Sequence, residues 1–163
     1  MPIQKSSSVR RDLKARKMKV AIVWSRFNES ITRSLLKGAE RGLREAGLAD
    51  GSIRALEVPG AFEIPVAALR AAETKTFDAV ICLGAVIRGE TPHFDYVCQG
   101  ATQGVMQAQL QTGVPMAFGV LTTDTIDQAL RRAGDDDENK GYEAAKVVIE
   151  MVELVRGLGK KKK

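Results

Sequence analysis

The chain contains a single histidine, His93, and its surroundings suit proton transfer. It follows an apolar, strand-like run and a loop that includes Gly89 and Pro92, where a helix is expected to begin. An imidazole has an unperturbed pKa of about 6.5, so it can gain and lose a proton at neutral pH. Backbone N–H groups at a helix start can also hold an anion. We therefore predict that His93 is a catalytic acid or base beside an anion site.

The elements that must position His93 alternate between short β-rich runs and longer amphipathic runs, a pattern typical of a parallel sheet with crossover helices. Strands are predicted at residues 18–25, 53–58, 77–87 and 115–122, with helices at 28–47, after the turn that starts at 58, at 94–112, 124–134 and 139–158. Asn28 is placed as an N-cap. The apolar stripe of the last helix is Ala145, Val148, Ile149, Val152 and Val155. The fold class is α/β, with four strands and helices on both faces.

Four junctions follow the four predicted strands, and ligands of open parallel sheets bind beyond the strands' carboxyl ends. These junctions are SRFNES, VPGAFEIP, GAVIRGETPHFD and GVLTTDT. We expect one pocket to collect their aromatic and polar residues, namely Phe27, Phe62, Glu63, Arg88, Glu90, Thr91, His93 and Phe118.

Structural roles compete with functional ones at several of these positions. Phe27 and Phe118 fit a core position as well as a ligand platform, and Glu63 could simply complement a helix dipole. Arg88 and Arg132 fit solvated surface charges.

Missing motifs exclude several enzyme classes. The sequence has no GxGxxG after the first strand, no GxxxxGK[ST] and no GxSxG, which disfavours dinucleotide enzymes, P-loop NTPases and α/β hydrolases. One histidine and two cysteines without CxxC spacing are too few ligands for a transition-metal site. We expect Cys82 and Cys98 to be reduced and buried. A metal-free acid–base enzyme is the remaining interpretation.

The net charge of +5 is concentrated in the termini. Residues 1–17 carry +5 and residues 160–163 add +4, so about −4 remains on residues 18–159. We predict a basic, disordered tail at 1–17, one domain at 18–159 and a Lys tail at 160–163. The domain's negative net charge gives no indication of a basic surface that would bind nucleic acid, although the tails could attract a polyanion weakly. There is no secretory signal and no apolar run of the ~18 residues that a membrane helix needs, so we expect a cytoplasmic protein.

Motifs across residues 18–158 closely resemble those of 6,7-dimethyl-8-ribityllumazine synthases. They are SRFNESIT, VPGAFEIP, GAVIRGETPHFDYV, TGVPMAFGVLTTDTIDQALRRAG and NKGYEAA, in the family's order and with similar spacing. The resemblance implies a flavodoxin-like three-layer α/β/α fold with a four-stranded parallel sheet. It also implies condensation of 5-amino-6-(D-ribitylamino)uracil with 3,4-dihydroxy-2-butanone 4-phosphate, without cofactor or metal, in riboflavin biosynthesis.

The resemblance also assigns roles by position. Phe27 would stack on the pyrimidine, while Ala61, Phe62 and Glu63 would meet the ribityl chain. The backbone of Ala85, Val86 and Ile87 would read the pyrimidine edge, and His93 would be the general acid or base. Glu90, Thr91 and Arg132 would hold the phosphate, Phe118 would reach a neighbouring subunit's site, and Lys140 and Glu143 would support the site.

The family's minimal assembly is a pentamer with sites at subunit interfaces, in which the N-terminal segment joins a neighbour's sheet. GDDDEN replaces the Gly-Thr-Lys-Ala-Gly-like connection of many shell-forming members. The sequence therefore leaves undecided whether pentamers build a sixty-subunit shell and whether riboflavin synthase associates with them. The alternatives are an archaeal-type riboflavin synthase and a lumazine- or flavin-binding carrier. VPGAFE and GETPHFD favour the lumazine synthase.

Overall fold

A computed structural model describes residues 17–160, which form four strands and five α-helices. The strands are β1 (Val20–Ser25), β2 (Ile53–Val58), β3 (Ala79–Ile87) and β4 (Met116–Thr123). The helices are α1 (Glu29–Glu45), α2 (Ile64–Glu73), α3 (His93–Thr112), α4 (Ile126–Arg131) and α5 (Lys140–Leu158), with short 3-10 turns at Asp50–Ser52 and Ala61–Glu63. Apart from Lys17 and Lys160, the two predicted tails lie outside the described residues.

The four strands form one parallel sheet in the order β2-β1-β3-β4. Residues of β1 and most of β3 are buried, as expected for continuous apolar runs in the middle of a parallel sheet. All four strands point the same way, so the four junctions after them meet at one edge of the sheet. The predicted α/β fold with a four-stranded parallel sheet is confirmed.

Helices cover both faces of the sheet and form two cores. On one face, α1 and α5 pack against the strands through residues such as Leu35, Leu43 and Val148. On the other face, α2 and α3 bury Ile64 and Val105 against β1, β3 and β4. These two layers fix where each helix starts at the edge of the sheet that carries the junctions.

Three local predictions were wrong in part. Asn28 occupies the N-cap position of α1, but its side chain does not cap the helix and its backbone is left-handed, with φ 60°. Val155 is exposed, like every residue from 154 to the end of α5, although the other four residues of the predicted stripe are buried. Cys82 is buried, and burial raises the pKa of its thiol to about 12, but Cys98 is only partly buried.

None of the helices within residues 17–160 has both the length and the apolar character needed to cross a membrane.

Candidate active site

The turn after β1 is fixed to the turn after β2 by two backbone hydrogen bonds. Arg26 donates its N–H to the Val58 carbonyl at 2.9 Å, and Phe27 donates to the Pro59 carbonyl at 3.1 Å. The Phe27 ring is 69% exposed, so it is not a core residue in the isolated chain. The backbone is held while the ring is left open to a ligand.

Asn28 ties the same turn to β3. Its Nδ2 donates to the Ala85 carbonyl at 2.8 Å, and Asn tolerates the left-handed backbone better than most residues because its short polar side chain can bond locally. This contact explains why Asn28 does not cap α1. It ties the residue next to Phe27 to β3.

The second wall of the site is the 3-10 turn Ala61–Glu63. Phe62 lies against Gly100 of α3, where an added Cβ would come within 2.5 Å of the Phe62 ring. A glycine is therefore needed at position 100 for the ring to lie against the helix. Glu63 immediately precedes α2, and its side chain lines the same pocket as Phe27.

The third wall is the end of β3 and the start of α3. Together the three walls enclose a pocket of about 610 Å³, within the usual range for small-molecule sites. Most of its lining is apolar, and it includes Phe27, Ala61, Phe62, Glu63, Ala85, Val86, Ile87, Thr91 and His93 among the predicted site residues. The structure therefore brings these nine predicted residues together.

His93 is the first residue of α3 and is exposed at the pocket. Its backbone N–H lies 3.4 Å from the Thr91 hydroxyl, while its imidazole has no hydrogen-bond partner within residues 17–160. The ring nitrogens can therefore meet a ligand without breaking a protein contact.

Arg88 and Glu90 lie outside the lining of this pocket. The Arg88 guanidinium pairs with Asp124 at 2.8 Å and with Asp95 at 3.3 Å. The hydrogen bond to Asp124 raises the pKa of Arg88, so the group stays charged. Arg88 is thus an ion-paired residue rather than a free solvated charge.

Phe118, Arg132, Lys140 and Glu143 line a second pocket of about 380 Å³ along β4 and the start of α5. Arg132 donates to the Gln128 carbonyl at 2.9 Å, and Lys140 pairs with Glu143 at 2.8 Å. The expectation of one pocket in one chain was wrong, because Phe118 lies on the edge strand β4 and lines this second pocket. Arg132 is likewise not brought to Thr91 within the chain.

A further pocket of about 500 Å³ lies at the amino ends of β3 and β4, lined in part by Phe77, Asp78 and Pro115. None of the predicted site residues lines it. Among residues 17–160 no three His, Cys, Asp or Glu side chains are grouped as metal ligands would be, and the expectation of a metal-free reaction stays a prediction.

Besides the contact of Asn28 with Ala85, five residues that line the first pocket were missed in the sequence, namely Gly60, Gly89, Phe94, Tyr96 and Val97. The signal for two of them was present, because His93, Tyr96 and Val97 are three and four residues apart and so share one face of a helix. The Asn28 contact bridges 57 residues, and no local pattern indicates it.

Comparison with known proteins identifies the family of the chain. The family profile that matches residues 17–156 is described as 6,7-dimethyl-8-ribityllumazine synthase. A protein of Salinibacter ruber with that name is 56% identical to the chain over 135 residues, which are 83% of this chain and 86% of the relative. The chain belongs to the 6,7-dimethyl-8-ribityllumazine synthase family.

Membership of the lumazine synthase family confirms the predicted family and enzyme class, a transferase of riboflavin biosynthesis. Both comparisons name the lumazine synthase, rather than the riboflavin synthase or the carrier that were considered as alternatives. The roles of individual residues, the assembly and the absence of a cofactor stay predictions.

Proposed function

We propose that the chain condenses 5-amino-6-(D-ribitylamino)uracil with 3,4-dihydroxy-2-butanone 4-phosphate at a site completed by a second copy of the chain. The supporting observation is the separation of the predicted site residues into two open pockets. His93 and the exposed Phe27 and Phe62 line the first, while Phe118 and Arg132 line the second. Joining the first pocket of one copy to the second pocket of a neighbour would reunite them.

The first pocket would hold the pyrimidine and its ribityl chain. Phe27 offers an aromatic face for stacking, the backbone of residues 85–87 offers donors and acceptors, and Glu63 can accept hydrogen bonds from hydroxyl groups. The apolar lining excludes water around the ring, which strengthens those polar contacts.

The second pocket would complete the phosphate site. Arg132 has a planar fork of donors that matches phosphate oxygens, and in the assembled site it would act with the backbone N–H groups of Glu90 and Thr91 near the start of α3. Phe118 is 43% exposed in the single chain and would cover the bound pyrimidine from the neighbour's side.

The chemistry requires proton transfer at three steps, and His93 would serve them. An amine of the pyrimidine attacks the ketone, a C–N bond forms, and the carbonyl oxygen leaves as water after taking protons. Loss of the proton from the hydroxyl-bearing carbon beside the new C–N bond then lets the C–O bond to phosphate break, and phosphate departs with the electron pair, its charge held by Arg132. The enol that is left tautomerises, so the hydroxyl-bearing carbon becomes a carbonyl. The ribityl-bearing nitrogen closes on this carbonyl with loss of water. Positioning of the two reactants should supply most of the acceleration.

The proposal is tested by incubating the purified chain with both substrates and identifying the product by mass and absorbance. Lumazine formation supports it, also after EDTA treatment, because the proposed steps use no metal or cofactor. Riboflavin formation from lumazine alone would support the riboflavin-synthase alternative, and lumazine or flavin binding without turnover would support the carrier.

We also propose a homopentamer as the minimal assembly and a cytoplasmic location, as the family resemblance implies. The connection at residues 135–138 is exposed and acidic, so the question whether pentamers build a sixty-subunit shell stays undecided. Binding of riboflavin synthase stays a hypothesis. Native mass measurement of the full chain tests the assembly, with a monomer as the contrary result.

A further inference from the structure

Arg88 contacts two separate segments, the first turn of α3 and the end of β4 with the turn after it. Its Nε lies 2.8 Å from Asp124 Oδ1 in the turn after β4, and its Nη1 lies 3.3 Å from Asp95 Oδ1 in the first turn of α3. The guanidinium carbon lies 4.3 Å from the centre of the Phe94 ring, next to His93. The Arg88 backbone N–H also donates to the Thr123 carbonyl at 2.9 Å, which continues the β3–β4 ladder.

Few hydrogen bonds hold the start of α3. Pro92 stands at the N-cap without a side-chain hydrogen bond to the helix, and the contact from the His93 N–H to Thr91 is long at 3.4 Å. Residues 88–93 are exposed in the chain. A helix end of this kind can shift by fractions of an ångström unless a tertiary contact fixes it.

Asp124, the partner of Arg88 in the turn after β4, is itself held by hydrogen bonds. The backbone N–H of Asp124 donates to Gln128 Oε1 at 2.8 Å, and Thr125 and Gln128 form a reciprocal capping box at the start of α4. Arg132 follows α4 and donates to the Gln128 carbonyl. Arg88 therefore joins the start of the helix that carries His93 to the turn that leads to Arg132.

We propose that Arg88 is a positioning residue that fixes His93 by tying the start of α3 to the β4–α4 turn. This inference rests on the proposed function of the site, since it assigns Arg88 a role through His93. An arginine suits the task because its planar group can bond two carboxylates and lie over an aromatic ring at the same time. A lysine offers a single point charge.

If Arg88 only stabilised the fold, its removal would change thermal unfolding rather than kcat. Exposed ion pairs contribute little to the stability of folded proteins, so removal of Arg88 should leave the fold intact. The chain offers a matched control in Arg156, which pairs with Asp78 at 2.8 Å between two elements at the opposite end of the sheet. Its exposed side-chain fraction is 40%, compared with 45% for Arg88.

The experiment measures kcat and both KM values for Arg88→Met and Arg156→Met in the full chain, with thermal unfolding and native mass as checks of fold and assembly. We expect kcat to fall roughly tenfold or more in Arg88→Met, because small misplacement of a catalytic group is costly. The pyrimidine KM should change less than about twofold, since the ring is held elsewhere. Arg156→Met should match the wild type, and Arg88→Lys should recover part of the rate.

A second arm tests whether Arg88 acts through His93. In a His93→Ala background, Arg88→Met should lower the residual kcat by less than about twofold, because the group that it positions is gone. If Arg88→Met does not fold, Asp124→Asn replaces it in the test and should also lower kcat, by a smaller factor.

Equal turnover in Arg88→Met and Arg156→Met would overturn the inference. The inference would also be overturned if Arg88→Met lowered kcat by the same factor in the His93→Ala background as in the wild type, since Arg88 would then act by another route. A wild-type chain that forms no lumazine would instead refute the proposed function, which separates the two failures.

Discussion

At the residue scale, His93 and Arg132 have surroundings that suit different tasks. The His93 imidazole has no protein partner within residues 17–160, while the Arg132 side chain is partly fixed by its bond to the Gln128 carbonyl. A group that moves protons must be accessible to several reacting atoms in turn, whereas a group that holds phosphate benefits from a fixed donor geometry. Two predictions follow from this difference.

His93→Ala should lower kcat by at least about tenfold, because a positioned acid or base commonly contributes that much or more. The KM for the pyrimidine should change little, since Phe27 and the end of β3 remain in place. Residual activity should persist because the reactants are still held together. Full turnover from pH 6 to 8 in steady-state assays would contradict the catalytic role.

Arg132→Ala should raise the KM for the butanone phosphate roughly tenfold or more and leave the pyrimidine KM nearly unchanged, because a charged hydrogen bond is worth ~1.5–3 kcal/mol. Arg131→Ala is the control, since the neighbouring Arg131 pairs with Asp127 and does not line the pocket. Similar KM changes for both substrates would argue against a phosphate role.

At the element scale, Asn139 connects the start of α5 to α1. Its Oδ1 accepts the N–H groups of Gly141 and Tyr142 at 2.8 and 3.1 Å, and its Nδ2 donates to the carbonyls of Ser34 and Gly134 at 3.1 and 2.8 Å. The side chain is buried against Gly38, where an added Cβ would lie 2.1 Å from Oδ1. Lys140 and Glu143 line the second pocket from the turn that this asparagine caps.

Asn139→Ala should lower the free energy of unfolding by about 2–4 kcal/mol, because it removes a helix cap and leaves buried backbone groups without partners. Urea unfolding measures the change. The control is Ser34→Ala, which removes only a hydroxyl bonded within α1 and should shift stability by less than about 0.5 kcal/mol. A loss in Asn139→Ala no larger than in the control would show that the cap is unimportant.

At the scale of the whole molecule, each chain would contribute its first pocket to one site and its second pocket to another. His93→Ala and Arg132→Ala chains, co-refolded in equal amounts, should then regain activity, because about one interface in four would combine an intact His93 with an intact Arg132 in a cyclic assembly. At a butanone phosphate concentration well below its wild-type KM, where Arg132→Ala chains alone are slow, lumazine formation should reach roughly a quarter of the wild-type rate. Each variant refolded alone is the control, and native mass must show mixed oligomers.

Activity at the mean of the two parents, despite proven mixing, would place His93 and Arg132 in the same subunit's site. The family resemblance assigned only Phe118 to a neighbouring subunit's site, so Arg132 was expected on the same side of the interface as His93. The structure instead supports a grouping of Arg132 with Phe118, since both line the pocket beside β4.

The sequence alone determined the elements and most of the first pocket. Apolar periodicity places the strands and helices within a few residues of their bounds, and the motifs at the strand ends identify the family and nine of the residues that line that pocket. These features are local or follow from one rule, that parallel strands present their carboxyl ends at a common edge.

Only the tertiary structure decided which junctions share a pocket and how they are held. β4 is an edge strand in the order β2-β1-β3-β4, and Phe118 and Arg132 line a pocket beside it that does not include His93. The contacts from Asn28 to Ala85 and from Arg88 to Asp124 bridge 57 and 36 residues. Periodicity carries no information on such pairs, because they depend on strand order and on the direction in which each side chain leaves its turn.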